Sequence, residues 1–361
     1  MRIRPTEDFW LANPADGPDP DDNGMFIDNA RDYVSLIRKH PSIGLYCGRN
    51  EGYPPAALND GLVMTVKDLH SDIVYIPSSA DDGVSGHGPY RAVEPSFYFE
   101  NPTSKFHSER GMPAIMDYKS LSQMLTSGHL WPIDDVWGQH DFTRTGAQGD
   151  TAFIGMTRRR FGDQALESAE RFAKYAQWIN YDGYRAMYEA NNVNRKGLLI
   201  WMSHSAWPSL AWQTHSAWPS LAWQTYDYWF RPTGACAAVR KACEPLHIQL
   251  NPATCRIEVV NASCGDLNNL TASVTLVNPN GEEVYSKAVQ VSPAEDTTTP
   301  VLDIADVPDG LCIVTLSLTS ADGKLLSENR YFRNFRSGKD TGDYQALVGT
   351  KWLDDSMLRF D

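Results

Sequence analysis

Two glutamates stand where acid–base chemistry can be done. Glu51 ends Ile43-Gly-Leu-Tyr-Cys47-Gly-Arg-Asn-Glu, a short apolar run that closes in a polar turn, and Glu109 ends Lys105-Phe-His-Ser-Glu. Taken singly, Asn50-Glu51 and Ser108-Glu109 carry little information, because such dipeptides after a strand are commonly turns. Taken as a pair they suit one demanding reaction. Breaking a glycosidic bond needs one carboxyl to protonate the leaving oxygen and a second to attack or stabilise the anomeric carbon. In double displacement the two groups lie about 5–5.5 Å apart, and the attacking one becomes covalently joined to the sugar. The acid must keep its proton near neutral pH, and a nearby carboxylate and partial burial both favour that.

Residues so far apart in the chain meet only if a framework brings strand ends to one rim. The first two thirds of the sequence supplies such a framework. Asp21 and Asp22 can cap a helix through Met25, Ile27, Ala30, Val34 and Ile37, with Lys39 and His40 at its C-terminal end and Pro41 beyond. Strand patterns follow at Ile43–Cys47, Ile73–Ile76 and around Lys105–His107, with a helical pattern at Leu62–His70. A long amphipathic helix is expected over roughly Asp163 to Asn191, before the strand Leu198–Trp201. Strands alternating with helices imply βα units and a parallel sheet buried on both faces. In a parallel barrel, chemistry sits at the C-terminal strand ends, and both Glu51 and Glu109 are expected just past such ends. From about Leu246 the pattern changes to β-rich runs at Arg256–Val260, Thr271–Val277, Lys287–Val291 and Leu311–Leu318. Turn signals at Asn278–Gly281, Pro308–Gly310 and Ala321–Gly323 separate them, which reads as an antiparallel sandwich of immunoglobulin-like size. The expected organisation is a catalytic domain over residues 1–243, a sandwich over 244–336, and a linker or the start of a further segment over 337–361.

Composition narrows the partners. The 361 residues include 42% hydrophobic and 21% charged side chains, enough for packed cores, with a formal net charge of -13. Nucleic acid and anionic membrane surfaces need clustered Lys and Arg, so neither is expected as a partner. A neutral or cationic substrate fits better. The 11 Trp and 16 Tyr serve cores, and the same flat rings stack on the apolar faces of sugars. The six Cys form no CxxC pair and have no His cluster beside them, so no metal is expected. Cys47 reads as a buried thiol. Cys255 and Cys264 can pair across a hairpin or remain free small hydrophobes. No apolar run is long enough to span a bilayer. The first residues lack the apolar stretch of a signal peptide, as would a sequence whose true N-terminus is missing.

One segment is repeated without change: His204-Ser-Ala-Trp-Pro-Ser-Leu-Ala-Trp-Gln-Thr214 recurs as His215 to Thr225. A single perfect copy is not a solenoid. Only one copy can take the place in the fold, so the other is expected to bulge out as a loop or shift the register.

Longer motifs carry a resemblance through nearly the whole chain. His40-Pro-Ser-Ile-Gly-Leu-Tyr-Cys-Gly-Arg-Asn-Glu-Gly52 resembles the acid/base strand of glycoside hydrolase family 2. Ile76-Pro-Ser-Ser79, Ser85-Gly-His-Gly-Pro-Tyr90 and Phe106-His-Ser-Glu-Arg-Gly-Met-Pro113 resemble its exo-β-glucosaminidase and β-mannosidase-like branch. So do Trp201-Met-Ser-His-Ser-Ala-Trp-Pro-Ser209 and Trp223-Gln-Thr-Tyr-Asp-Tyr228, and the run from Glu244 to Tyr331 resembles the immunoglobulin-like domain that follows the barrel. The resemblance implies a (β/α)8 TIM barrel followed by an all-β immunoglobulin-like sandwich, a retaining mechanism and no cofactor. Glu51 would be the general acid/base, Asn50 would bond the sugar 2-substituent, and Glu109 would be the nucleophile. Trp201 would stack under the sugar, or else be a core ring. Trp207, with its duplicate Trp218, is a further candidate. His87 and Tyr90 either line the pocket or pack a Gly-rich loop.

The resemblance also implies departures. Relatives begin with a sugar-binding jelly roll and an immunoglobulin-like domain, and the barrel here starts near its third strand, around Phe9-Trp10. A barrel short of strands has open edges. Two expectations therefore compete: a glycosidase removing a terminal β-linked glucosamine or mannose, and an inactive fragment or carbohydrate-binding decoy. Compartment is undetermined, with relatives often periplasmic or secreted.

Overall fold

The computed structural model describes residues 6–194, 196–203, 219–304, 309–354 and 358. The chain divides into two compact units, one reaching to Gly88 and including Lys105–Arg110, the other formed by Pro89–Ser104 and the residues from Gly111 on.

The first unit is built of βα repeats. Strands β1 (Thr6–Asp8), β2 (Leu45–Arg49) and β3 (Val74–Ser78) pair in parallel in that order. Asp8 aligns with Cys47, Cys47 with Ile76, and Arg49 with Ser78. Two helices make the crossovers, α1 (Asn23–Ile37) and α2 (Ala56–Leu69). The side chain of Asp22 accepts the Met25 N–H at 2.9 Å, capping α1 where the sequence placed a cap. Both faces of the sheet are covered, as a parallel sheet requires. Tyr46 packs with Phe9, Val34, Leu58 and Leu62 on one side, while Cys47, Ile76 and Val84 cluster on the other. Strand β4 (Val84–Ser85) pairs in parallel with β5 (Phe106–Arg110), through Val84 opposite Phe106. Gly48 is needed because a Cβ there would overlap the Tyr75 hydroxyl and the Pro77 carbonyl.

The second unit holds α3 (Pro95–Glu100), α4 (Tyr118–Met124), α5 (Asp135–Gln139), α6 (Ile154–Phe161), α7 (Ala169–Asn194), β6 (Leu198–Ile200) and α8 (Gly234–Ala242). The expected helix over Asp163–Asn191 starts later than its apolar period suggested. Asp163–Leu166 is a separate 3-10 turn, and Ser168 opens α7 by accepting the Arg171 N–H at 3.2 Å. Around α7 gathers an aromatic core in which Trp137 meets Phe142 edge-on at 5.4 Å and Phe153 meets Phe172 at 6.1 Å.

Beyond α8 come β7 (Leu246–Asn251), β8 (Arg256–Asn261), β9 (Leu270–Val277), β10 (Glu283–Val291), β11 (Thr297–Asp303), β12 (Gly310–Thr319), β13 (Leu325–Arg336) and β14 (Lys339–Asp340). They form two sheets, ordered β10-β9-β12-β13-β14 and β11-β8-β7, with antiparallel neighbours. Ile248, Leu250, Ile257 and Val259 of the smaller sheet share one core with Val274, Leu276, Val314 and Leu316 of the larger, which makes a two-sheet sandwich. The segment after Arg336 packs as well. Tyr344 is buried, its N–H donates to the Arg160 carbonyl at 2.8 Å, and Leu347 and Leu353 join the aromatic core.

A buried ionic cluster ties α7 to the sandwich within this unit. Asp182 accepts from Arg160 at 2.9 Å and from Arg185 at 3.0 Å, with Arg333 at 3.5 Å. Burial works against the charged form of Asp182, but the guanidiniums of Arg333, Arg160 and Arg185 outweigh it and hold the carboxyl well below the usual range.

Candidate active site

The site in the first unit is assembled from the C-terminal ends of β2, β3 and β5. Arg49, the last residue of β2, is 4% exposed and anchors the loop that follows β1. Its Nε donates to the Ala12 carbonyl at 2.8 Å and its Nη1 to Asp19 at 2.7 Å. That loop then presents Asn13, whose Nδ2 donates to Glu51 Oε2 at 2.7 Å. Glu51 lies two residues past β2, as expected, with φ at 46°, in the left-handed region that a non-glycine residue enters at a cost of about 1–2 kcal/mol.

Glu109 differs in placement from the expectation that it lies beyond its strand. It is the penultimate residue of β5 and 8% exposed. The strand continues through Arg110, so the polar Ser108-Glu109 pair belongs to the strand and not to a turn. The burial-raised thiol of Cys47 is raised further by the carboxylates of Asp8 and Glu109. Glu109 is thus near enough to Cys47 for its charge to act there.

Ser79, directly after β3, joins the two strand ends. Its Oγ accepts the Glu51 N–H at 2.8 Å and donates to Asn50 Oδ1 at 3.2 Å, and its carbonyl accepts from the Ser108 hydroxyl. Ser108 Oγ also reaches the Ser85 carbonyl at 3.2 Å. Gly86 permits this crowding, since a Cβ there would overlap Ser108 Oγ and the Ser79 carbonyl. Asn50 is 6% exposed, and its Nδ2 has no hydrogen-bond partner among the described residues. A buried donor without an acceptor is costly unless something binds it. His107, two residues before Glu109 and on the same face, is buried with its Nδ1 unpartnered. Burial, and then the neighbouring Arg110 charge, lower its pKa to about 4, so it is neutral at physiological pH.

The remaining sequence candidates fall as follows. His87 is exposed in the first unit and close enough to His107 for its charge to act there. Tyr90 and Trp201 belong to the second unit, where they pack with Met202 around Trp223. Trp223 donates its Nε1–H to the Tyr90 carbonyl at 2.6 Å. Trp201 is half-buried and is joined to Met202 by a cis peptide bond. Trp207 and Trp218 lie outside the described residues. Of the repeat, only the end of the second copy, from Pro219 on, lies among the described residues. Ser220 donates to Asp141 at 2.9 Å, Leu221 N–H donates to the His140 carbonyl at 2.8 Å, and Thr225 and Tyr226 return their N–H groups to the Ser203 carbonyl. Sequence reasoning passed over Asn13, Ser79, His107 and Trp223. Ser79 and His107 stood in motifs already singled out, while nothing local marked Asn13.

All six cysteines are free, so Cys255 and Cys264 do not pair. Among the described residues, no group of three His, Cys, Asp or Glu side chains is placed to hold a metal, and no helix is long and apolar enough to cross a membrane.

Comparison with known proteins finds named β-glycosidases. The chain is 26% identical over 347 residues to a mannosylglycoprotein endo-β-mannosidase of Lilium longiflorum, covering 79% of this chain and 34% of that one. It is 28% identical over 345 residues to an exo-β-D-glucosaminidase of Streptomyces avermitilis, covering 86% and 36%. It shares the fold of an Amycolatopsis orientalis exo-chitosanase solved with PNP-β-D-glucosamine, with a TM-score of 0.76 at 21% identity over 89% of this chain and 41% of the other. No family model matches the chain. The chain spans about a third of the length of the curated relatives it matches. These findings bear out the resemblance to the exo-β-glucosaminidase and β-mannosidase-like branch of glycoside hydrolase family 2.

Proposed function

We propose that the chain carries the catalytic carboxylate pair of a retaining β-glycoside hydrolase that removes terminal β-linked glucosamine or mannose. The observation that supports this most is the junction at Ser79, which links the Asn50-Glu51 loop to the strand bearing Glu109 inside one compact unit. In this reading residues 1–243 are part of a (β/α)8 barrel and residues 244–336 an immunoglobulin-like sandwich.

Glu109 is the nucleophile. Its place in the strand fixes it, and the neutral His107 beside it does not compete as a cation for its charge. Attack on the anomeric carbon forms the glycosyl–Glu109 ester while Glu51 gives its proton to the leaving oxygen. Glu51 then takes a proton from water, whose oxygen attacks the anomeric carbon and releases Glu109 with the anomeric configuration retained. Asn13 orients the Glu51 carboxyl, and the unpartnered Nδ2 of Asn50 donates to the sugar 2-substituent.

A panel of fluorogenic β-glycosides tests the reading. The full chain should turn over the β-glucosaminide or the β-mannoside, and Glu109→Ala and Glu51→Ala should each lose at least about a hundredfold. Azide should rescue them with opposite outcomes, giving an α-glycosyl azide with Glu109→Ala and a β-glycosyl azide with Glu51→Ala. Absence of turnover across the panel would favour the second reading, a chain that keeps the pair without using it.

A further inference from the structure

We infer that Ser79 is a positioning residue for the general acid, acting through Glu51 and Asn50; this rests on the proposed function. Ser79 holds three consecutive residues of the acid's loop. Its N–H donates to the Arg49 carbonyl at 3.0 Å, its hydroxyl donates to Asn50 Oδ1 at 3.2 Å, and the same hydroxyl oxygen accepts the Glu51 N–H at 2.8 Å. The last bond bears on the one residue of the pair whose backbone is strained. Glu51 keeps φ at 46° while its N–H is tied to the hydroxyl. A left-handed non-glycine residue persists only where its surroundings over-determine it. Without the hydroxyl, Glu51 has a freed N–H and a downhill path toward ordinary backbone geometry, which swings its carboxyl.

Glu109 is held differently. It is the penultimate residue of β5, whose Phe106 and His107 pair with β4. The Ser79 carbonyl, which accepts from Ser108, survives any side-chain change at position 79. Removing the hydroxyl therefore perturbs the acid and spares the nucleophile. At 7% exposure Ser79 has no solvent face of its own through which to act on a substrate.

The test compares Ser79→Ala with the unsubstituted full chain on two substrates of one sugar, a 2,4-dinitrophenyl β-glycoside and a β-linked disaccharide. Dinitrophenolate leaves without a proton, so its kcat/KM reports attack by Glu109; the disaccharide needs the acid as well. Ser79→Ala should lower kcat/KM about tenfold or more for the disaccharide and less than about twofold for the dinitrophenyl glycoside. Ser79→Thr, which keeps a hydroxyl, should recover most of the disaccharide rate. Equal losses on both substrates, or no loss on either, would overturn the positioning role. If the unsubstituted chain turns over neither sugar's dinitrophenyl glycoside, the proposed function itself fails and the role of Ser79 goes with it.

Discussion

The buried histidine two residues before Glu109 makes the folded chain sensitive to mild acid. His107 is 2% exposed, and burial and the Arg110 charge set its pKa at about 4 against an ordinary value of 6.5. As pH falls through 6.5, the unfolded chain takes up a proton at this position and the folded chain does not. The unfolded state gains, and stability present at neutral pH is lost progressively until the folded pKa near 4, below which both states are protonated and the loss levels off. A difference of about 2.5 pKa units corresponds to about 3 kcal/mol at about 1.4 kcal/mol per unit, a large share of the roughly 5–15 kcal/mol that holds a domain together. Urea unfolding of the full chain and of His107→Gln at pH 7 and at pH 4.5 isolates the effect. The variant should lose about 2–3 kcal/mol less than the parent between those conditions, because the proton uptake has been removed. Parallel losses in the two chains would refute the buried, neutral state of His107.

Other outcomes follow from the same contacts. Asp182→Ala leaves Arg160, Arg185 and Arg333 converging without their shared carboxylate, and should cost about 3–5 kcal/mol, read as a fall in thermal midpoint. Because the folded-state pKa of Asp182 is depressed, its contribution persists above the ordinary carboxylate range and disappears only as pH falls through that lower value. Thiol titration of the native chain at pH 8 should modify exposed Cys264 first and Cys47 only after denaturant is added, since Cys47 is 1% exposed and its thiol is raised by burial and two carboxylates. Excising His204–Thr214 joins Ser203 to the second copy, whose Ser220 and Leu221 bond to Asp141 and His140. One copy suffices for those contacts, so the thermal midpoint should hold, and a clear drop would show that the first copy is needed.

The sequence was legible where local patterns and the surroundings agreed. Helix α1 begins at the Asp22 cap and buries Ala30 and Val34, as its apolar spacing required. The turns at Asn278–Gly281 and Ser320–Gly323 close on the signals that marked them. Strand β13 was not among the runs read as strands, and its polar Asn329 and Arg333 are buried by partners remote in sequence: Asn329 donates to Glu189 at 3.0 Å, and Arg333 lies 3.5 Å from Asp182. The site divides in the same way. Asn50, Glu51 and Glu109 stood out because of motif context, but Asn13 gains its meaning only when Arg49 folds the preceding loop over Glu51. Ser79 was visible as a residue, while its role emerged from three strand ends meeting. The offset at Glu109 came from β5 running through polar residues that a β-propensity reading excludes.

The most direct measurement is covalent capture. Incubating the full chain with a 2-deoxy-2-fluoro-β-glycosyl fluoride slows release of the glycosyl-enzyme, and peptide mapping by mass spectrometry then locates the sugar. An adduct on Glu109, absent in Glu109→Ala and absent from Glu51, is the predicted result. Turnover of the fluoride with no adduct, or an adduct on any other side chain, would contradict the assignment of Glu109 as nucleophile.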